Sequence, residues 1–496
     1  MAETRDNASG AQLRTEDTED ANDAGSWWSR PAGYRAVLHL AVPLVLSTSS
    51  WSIQHFVDRM FLCWYSPKAM AAALPSGFLA FTLTSFFMGT ASYANTFVAQ
   101  YHGAGQPRRL GPAIWQAVYF SIAAGMLLPV FYPFARTIFR LVGHEPVVQE
   151  LESRYFRIMM LGAGFSIYTS AVSSLFTGLG RNWPVMWVNA GVTAVNIVLD
   201  YAMIFGHWGF PEWGIDGAAW ATIIANAVGA AAFSVLAFSR RSERQYATRS
   251  GRRFDRELFG RLMRFGAPSG VEFMLDISAF TFFLFIVGRI GTVELAASNL
   301  ALQINSLAFL PMMGFGIATT TLVGQWLGSD KPRLAARAAW SAFGMTFAYM
   351  ATIAALYVIA PSWFISPFAA KSDAAEFGVV RPMATAILRF VAVYCLFDTM
   401  NVIFASALKG AGDTRFVMYC SVGLAWTVMV IPTWIVSKRA GGGIYSAWTF
   451  LSAYVILLGF AFLFRFLRGK WRTMRVIETP TVRAVPVNVP EAPRKS

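Results

Sequence analysis

Residues 225 positions apart match along this chain without a gap. Pro43 falls on Pro268, Ala71-Ala72 on Ala296-Ala297, and Met88-Gly89 on Met313-Gly314. Val98, Gln100 and Gly103 fall on Val323, Gln325 and Gly328, and the register continues through Pro107-Arg108 on Pro332-Arg333 and Trp115 on Trp340. Apolar composition supplies some coincidences, but not proline, glutamine and glycine holding one offset from position 43 to position 115. Further on, Gly178-x-Gly180 answers Gly410-x-Gly412 with a small shift. The chain must therefore fold as two copies of one topology.

Each copy is built from apolar runs long enough to cross a bilayer. The runs lie at about 34–64, 70–100, 112–142, 153–179, 183–205 and 215–238, then at 265–289, 295–326, 335–366, 378–408, 415–437 and 443–467. With 55% hydrophobic and only 14% charged residues, and a mean hydropathy of +0.46, a 496-residue chain lacks the polar surface of a soluble protein. The expected fold is an all-α membrane protein, with twelve transmembrane helices in two pseudo-symmetric six-helix lobes around a central cavity. Six is even, so the repeats run parallel about an axis along the membrane normal.

The lobes are predicted at 34–238 and 265–468, separated by a basic linker at 239–264 that carries nine arginines against Glu243, Asp255 and Glu257. Residues 1–33, with seven acids and three arginines, read as a disordered acidic tail without a signal-peptide core, and 469–496 as a basic tail. Most Lys and Arg outside the spans fall on the side shared by both termini and the linker. That side should face the cytoplasm of a bacterial inner membrane.

The net charge of +14 does not indicate nucleic acid, because the basic residues sit in short gaps between apolar runs. They can instead touch anionic lipid headgroups. Cys63, Cys395 and Cys420 have no metal-like spacing and read as packing residues. His39, His55, His102, His144 and His207 are scattered, and no nucleophile and base recur together, so an enzyme is not expected.

Chemistry must then lie in polar groups within the spans, which persist at bilayer depth chiefly where they face protein or water. Asp58 lies late in the first span, and Asn189, Asn196 and Asp200 share one stripe of the fifth. Such residues can be satisfied interhelical contacts or a cation or proton site, and the stripe together with a second acid favours the site. Glu272 and Asp276 lie one turn apart in the seventh span, where two carboxylates in a weak dielectric cannot both stay charged cheaply, so one should hold a proton or share a cation. Asp398 and Asn401 pair in the tenth. Phe78, Phe81, Phe309 and Met312 are expected in an apolar cavity wall that accepts flat cations. Gln303 and Asn305 are either cavity groups or helix-packing contacts.

These residues carry a resemblance. Leu40-Ala-Val-Pro43 with Val57-Asp58, then Ala71-Ala72, resembles the first-helix signature of the multidrug and toxic compound extrusion (MATE) family. Asn196-Ile-Val-Leu-Asp200, Phe210-Pro211 and Gly217-Ala-Ala-Trp-Ala-Thr222 resemble its fifth and sixth helices. Pro268 with Asp276, and Asp398-x-x-Asn401 ahead of Ala407-Leu-Lys-Gly-Ala-Gly-Asp413-Thr, are similar to its seventh- and tenth-helix patterns. The resemblance covers about 34–468. It implies secondary active efflux of organic, often cationic and aromatic, drugs against protons or sodium by alternating access, with no cofactor. It also implies that Asp58, Asn196 and Asp200 form a first-lobe cation site, that Asp276 and Asp398 form a second-lobe site, and that sodium, if used, binds at one of them. A monomer is expected. Two positions depart from the pattern: Arg59 follows the first aspartate, and Trp51 stands where a glutamine is typical. Arg59 is expected to snorkel to the interface. The competing reading is a flippase for lipid-linked oligosaccharide or related polyisoprenoid cargo, which would want several Lys or Arg at depth to hold a pyrophosphate. Here acids outnumber cations.

Overall fold

The computed structural model describes residues 27–142, 145–369, 374–438 and 443–478. Most of the acidic tail, the end of the basic tail and His144 lie outside them. Twelve helices are long and apolar enough to span a membrane. In chain order they are α1 (Tyr34–Tyr65), α2 (Pro67–Gly103), α3 (Pro107–Phe131), α4 (Pro146–Gly178), α5 (Asn182–Phe205), α6 (Ile215–Ala237), α7 (Arg256–Ile290), α8 (Thr292–Gly328), α9 (Pro332–Ile359), α10 (Phe377–Ala411), α11 (Thr414–Lys438) and α12 (Ile444–Leu467). Several boundaries differ from the apolar runs, and turn chemistry explains why. The third run stops at Phe131, where Pro129 and Pro133 interrupt it, and a separate short helix follows at Ala135–Val142. Its counterpart after α9 is Pro361–Ala369, set off by Pro361. At the other extreme, α7 begins nine residues before its apolar run. Asp255 caps it by accepting from the Glu257 and Leu258 amides, so the last third of the basic linker is helix.

The first halves of the two leading helices also pack against the opposite lobe. Val37, Leu40, Ala41 and Leu44 of α1 pack with Ala318 and Leu322 of α8 and Ala338 and Ala342 of α9. Further along, Phe61 and Leu62 of α1 pack with α2, α5 and α6 of their own lobe. Likewise Leu258 and Leu262 of α7 sit in the first lobe's core, whereas Ala279, Phe283 and Ile286 belong to the second. Both helices carry a proline near the crossover, Pro43 and Pro268, which removes one ladder hydrogen bond and supplies a bend point.

Interlobe hydrogen bonds gather at the end of the molecule that carries the linker and both ends of the described chain, here called the basic end. Gln100 Nε2 of α2 donates to Gly410 O, 2.9 Å away at the end of α10. Its repeat mate Gln325 of α8 donates to Gly178 O, 2.8 Å away at the end of α4. Beside them Tyr93 donates to Lys409 O, and Ser329 to Gly103 O. This clasp explains the most regular stretch of the repeat. A Cβ on Gly103 would lie 1.9 Å from Gln325 O, and one on Gly328 would lie 2.1 Å from Gln100 O. Gly103→Ala and Gly328→Ala must therefore push α2 and α8 apart, each lowering stability by about 1–3 kcal/mol. Thermal unfolding in detergent checks this; an unchanged melt in both variants would rule out so close a crossing.

Residues 470–478 close the same end. Trp471 is fully buried, stacked on Phe466 at 4.8 Å, with its indole N–H on Phe466 O. Val476 and Ile477 then enter the first lobe's core. The Val476 N–H donates to Gln100 Oε1 at 2.8 Å, and Glu478 accepts from Tyr101 and pairs with Arg261. The segment is thus a strap from the second lobe to the first.

Candidate functional site

Helices α1 and α5 run side by side, joined by a polar zipper with a near-constant register. Asn182 donates to Leu40 O, Asn189 to Ser47 Oγ and Thr193 to Ser50 O, at 2.7, 2.7 and 3.3 Å. The next step along α5 brings Asn196 and Asp200, both fully buried, against Gln54 and Asp58 of α1. The carboxyl groups of Asp58 and Asp200 are in hydrogen-bond contact with each other. With its amide nitrogen turned toward the acids, Asn196 stands 2.9 Å from Asp58 Oδ1, 3.2 Å from Asp200 Oδ2 and 3.2 Å from the Gln54 amide. Asp200 Oδ1 is enclosed without a partner. Two carboxyls this close are held together by a shared proton or by a cation between them. Of the predicted stripe, Asn196 and Asp200 join Asp58, whereas Asn189 stands two turns away and serves the zipper. Arg59 is exposed and forms no ion pair among the described residues.

The second lobe arranges its acids differently. Glu272 is buried and pairs with Lys409 of α10, whose Nζ lies 2.8 and 2.6 Å from its two carboxylate oxygens. Asp276, one turn on, accepts from the Tyr454 hydroxyl of α12 at 3.2 Å. Asp398 is buried and accepts from Asn401 Nδ2 at 3.1 Å. Glu272 is thus ion-paired with a lysine, whereas Asp276 and Asp398 each accept from a neutral donor. Two carboxyls in direct contact occur only at the Asp58–Asp200 site among these acids.

Between the lobes runs an aromatic ladder. Trp51 of α1 lies 4.7 Å from His55 and 5.8 Å from Phe81 of α2, and Phe81 lies 6.0 Å from Phe273 of α7, measured between ring centroids. Phe273 adjoins Glu272 in sequence, so the ladder leads from the first-lobe helices to the second-lobe acids. Phe78 and Gln303 are exposed. On α8, Asn305 and Met312 are seven residues apart and share the inward face. Asn305 is bonded to Tyr394 and Cys395, and Met312 is fully enclosed in the second lobe's core, where Phe309 packs at the edge. Gln303 lies some 200° around the same helix from Asn305 and escapes that core.

Sequence reasoning missed Gln54, Lys409, Phe273 and Tyr454. Gln54 stands one turn before Asp58, and that spacing could have found it. Lys409 was legible only as part of a Lys-Gly helix end, and Tyr454 meets Asp276 across 178 residues with no local signal.

The family model MatE matches residues 43–202 and 268–435, one segment in each lobe. The probable multidrug resistance protein NorM of Rhizobium meliloti (strain 1021) is 27% identical over 463 residues, covering 92% of this chain and 97% of the relative. That of Thermotoga maritima is 25% identical over 452 residues, covering 90% and 95%. Among solved structures, an outward-facing conformation of a multidrug resistance MATE family transporter superposes with a TM-score of 0.81 at 18% identity, covering 89% of this chain and 97% of the other. A MOP superfamily transporter from Pyrococcus furiosus superposes with 0.80 at 19% identity, covering 88% and 95%. With both six-helix lobes matched over well more than half its length, the chain belongs to the MatE family of transporters.

Proposed function

We propose that this transporter is a secondary active multidrug exporter that moves organic, mostly cationic and aromatic, compounds outward in exchange for protons, with Asp58 and Asp200 as the coupling pair. The observation that carries the reading is the contact between those two carboxyls, with Asn196 on both. The relatives' description as multidrug resistance proteins supports the cargo class. The aromatic ladder from Trp51 to Phe273 offers the stacking faces a flat cation needs. Following the excess of Lys and Arg, the basic end faces the cytoplasm of a bacterial inner membrane. The clasp and strap then seal the inner side, and cargo leaves from the other. Proton uptake at Asp58–Asp200 neutralises the site, weakens its hold on cationic cargo and permits the lobes to rock about the prolines of α1 and α7. A single chain contains every residue used.

The test is ethidium export from proteoliposomes under three imposed conditions: a pH gradient alone, a sodium gradient alone, and neither. Export driven by the pH gradient alone is expected. Export driven only by sodium would overturn the proton assignment, and export indifferent to both would overturn exchange itself.

A further inference from the structure

At the basic end, the turn formed by residues 27–33 and the first turns of α1 and α5 line an open recess of about 610 Å³. Its wall is divided. Arg30, Arg35 and His39 stand on the side toward the basic end, Val42 toward the membrane, with Trp28 and Trp183 flanking them. Among the described residues no carboxylate lines it. Arg35 and His39 are exposed, and neither has a polar side-chain partner among the described residues. They lie four apart, and the same stripe of α1 continues through Val42 and Leu46, which are 43% and 46% exposed. This stripe is turned away from Val37, Leu40, Ala41 and Leu44, the residues that pack into the second lobe. Across from it on α5, Trp187 is 68% exposed one turn beyond Trp183.

A cationic head continuous with an apolar strip along one membrane-facing groove fits one kind of occupant. We propose that the recess binds an anionic phospholipid, its phosphate between Arg35 and His39, its glycerol region against Trp28 and Trp183, and an acyl chain along Val42, Leu46 and Trp187. Basic pockets between helices at this depth select anionic headgroups, and interfacial tryptophans sit at the glycerol level. The site differs in place and chemistry from the acid pair, which lies several turns further along α1. Because His39 stands one turn before Pro43, the lipid would rest on the segment of α1 that precedes its bend point.

The purified chain in detergent, titrated with phosphatidylglycerol or phosphatidylcholine and read by native mass spectrometry, should retain the anionic lipid selectively. Arg35→Gln should weaken that retention about five-fold, since one cation beside an anionic surface contributes a factor of this size, and Arg35→Ala/His39→Ala should weaken it further. Arg240→Ala/Arg241→Ala removes two exposed arginines from the same end and should leave retention unchanged. Thermal unfolding of each variant guards against a misfolded chain. Equal retention by the wild type and the Arg35 variants overturns the site. So does an equal loss in the Arg240/Arg241 control, which would mean diffuse attraction, or full competition by inorganic phosphate, which would mean that the acyl strip plays no part.

Discussion

Asp58→Asn and Asp200→Asn are each expected to lower pH-gradient-driven ethidium export roughly ten- to hundred-fold, the equivalent of losing one charge-assisted hydrogen bond. Asparagine keeps the size of the side chain and can still hydrogen-bond Asn196, so the helices should stay packed through the unchanged contacts of Asn182, Asn189 and Thr193 to α1. What disappears is the site's ability to alternate between a charged and a neutral state. Thermal unfolding separates the two roles: a variant that has lost export while melting like the wild type has lost chemistry and not structure. Asp276→Asn and Asp398→Asn should cost less, because each of those acids already rests on a neutral donor from its own lobe. Undiminished export in both first-lobe variants would remove Asp58 and Asp200 from the coupling reaction. A larger loss at Asp276 than at Asp58 would move the principal site to the second lobe.

Trp471→Ala is expected to destabilise the protein by about 3–5 kcal/mol, the usual result of emptying a fully buried tryptophan site. The loss should exceed that of any single strap hydrogen bond, since Trp471 anchors the segment whose far end holds Gln100. The ionic end of the strap gives this prediction a pH dependence. Partial burial alone would push the Glu478 carboxyl up, but the Tyr101 hydroxyl and the Arg261 and Arg109 guanidiniums outweigh it and hold it below its usual range. A carboxyl depressed on folding contributes stability above its unfolded value and loses it as the pH falls through the lower, folded one. The gap in melting temperature between the wild type and Glu478→Gln should therefore be open at neutral pH and close under acid conditions. A gap that persists unchanged in acid would mean that the strap does not depend on that charge.

Much of this architecture can be read from spacing alone. The offset of 225 residues announces two equivalent lobes, and Gln100, Gly103, Gln325 and Gly328, which hold that offset most faithfully, make the reciprocal clasp. Period and polarity likewise mark Asn196 and Asp200 as one face, and one further turn of reasoning would have added Gln54. Local pattern does not reach contacts between distant helices. Nothing near Asn189 distinguishes it from Asn196, yet one ties two helices together and the other touches both acids. Glu272 and Asp276 look equivalent one turn apart, until Lys409, 137 residues from Glu272, forms an ion pair with the first while Tyr454 donates to the second. The apolar run of α7 conceals its true start, because a cap and three arginines extend the helix into a stretch that composition reads as linker. The strap was invisible for the same reason: a basic composition hides one tryptophan and two aliphatic residues that decide where the segment goes.

Gln100 and Val476 are 376 residues apart. At a synthesis rate of about 5–20 residues per second, the glutamine leaves the ribosome roughly 20–75 s before its partner. Throughout that interval the Gln100 side-chain carbonyl lacks its strap partner; Arg261, made later, likewise waits for Glu478, and both gain their partners only after α12 has been made. A chain that stalls or is cut short just after α12 can still insert both lobes but cannot fasten them. In the newborn protein, the state of the basic end therefore records whether translation has run past Glu478, which gives a quality-control protease a physical difference to act on: an unfastened seam between two otherwise finished halves.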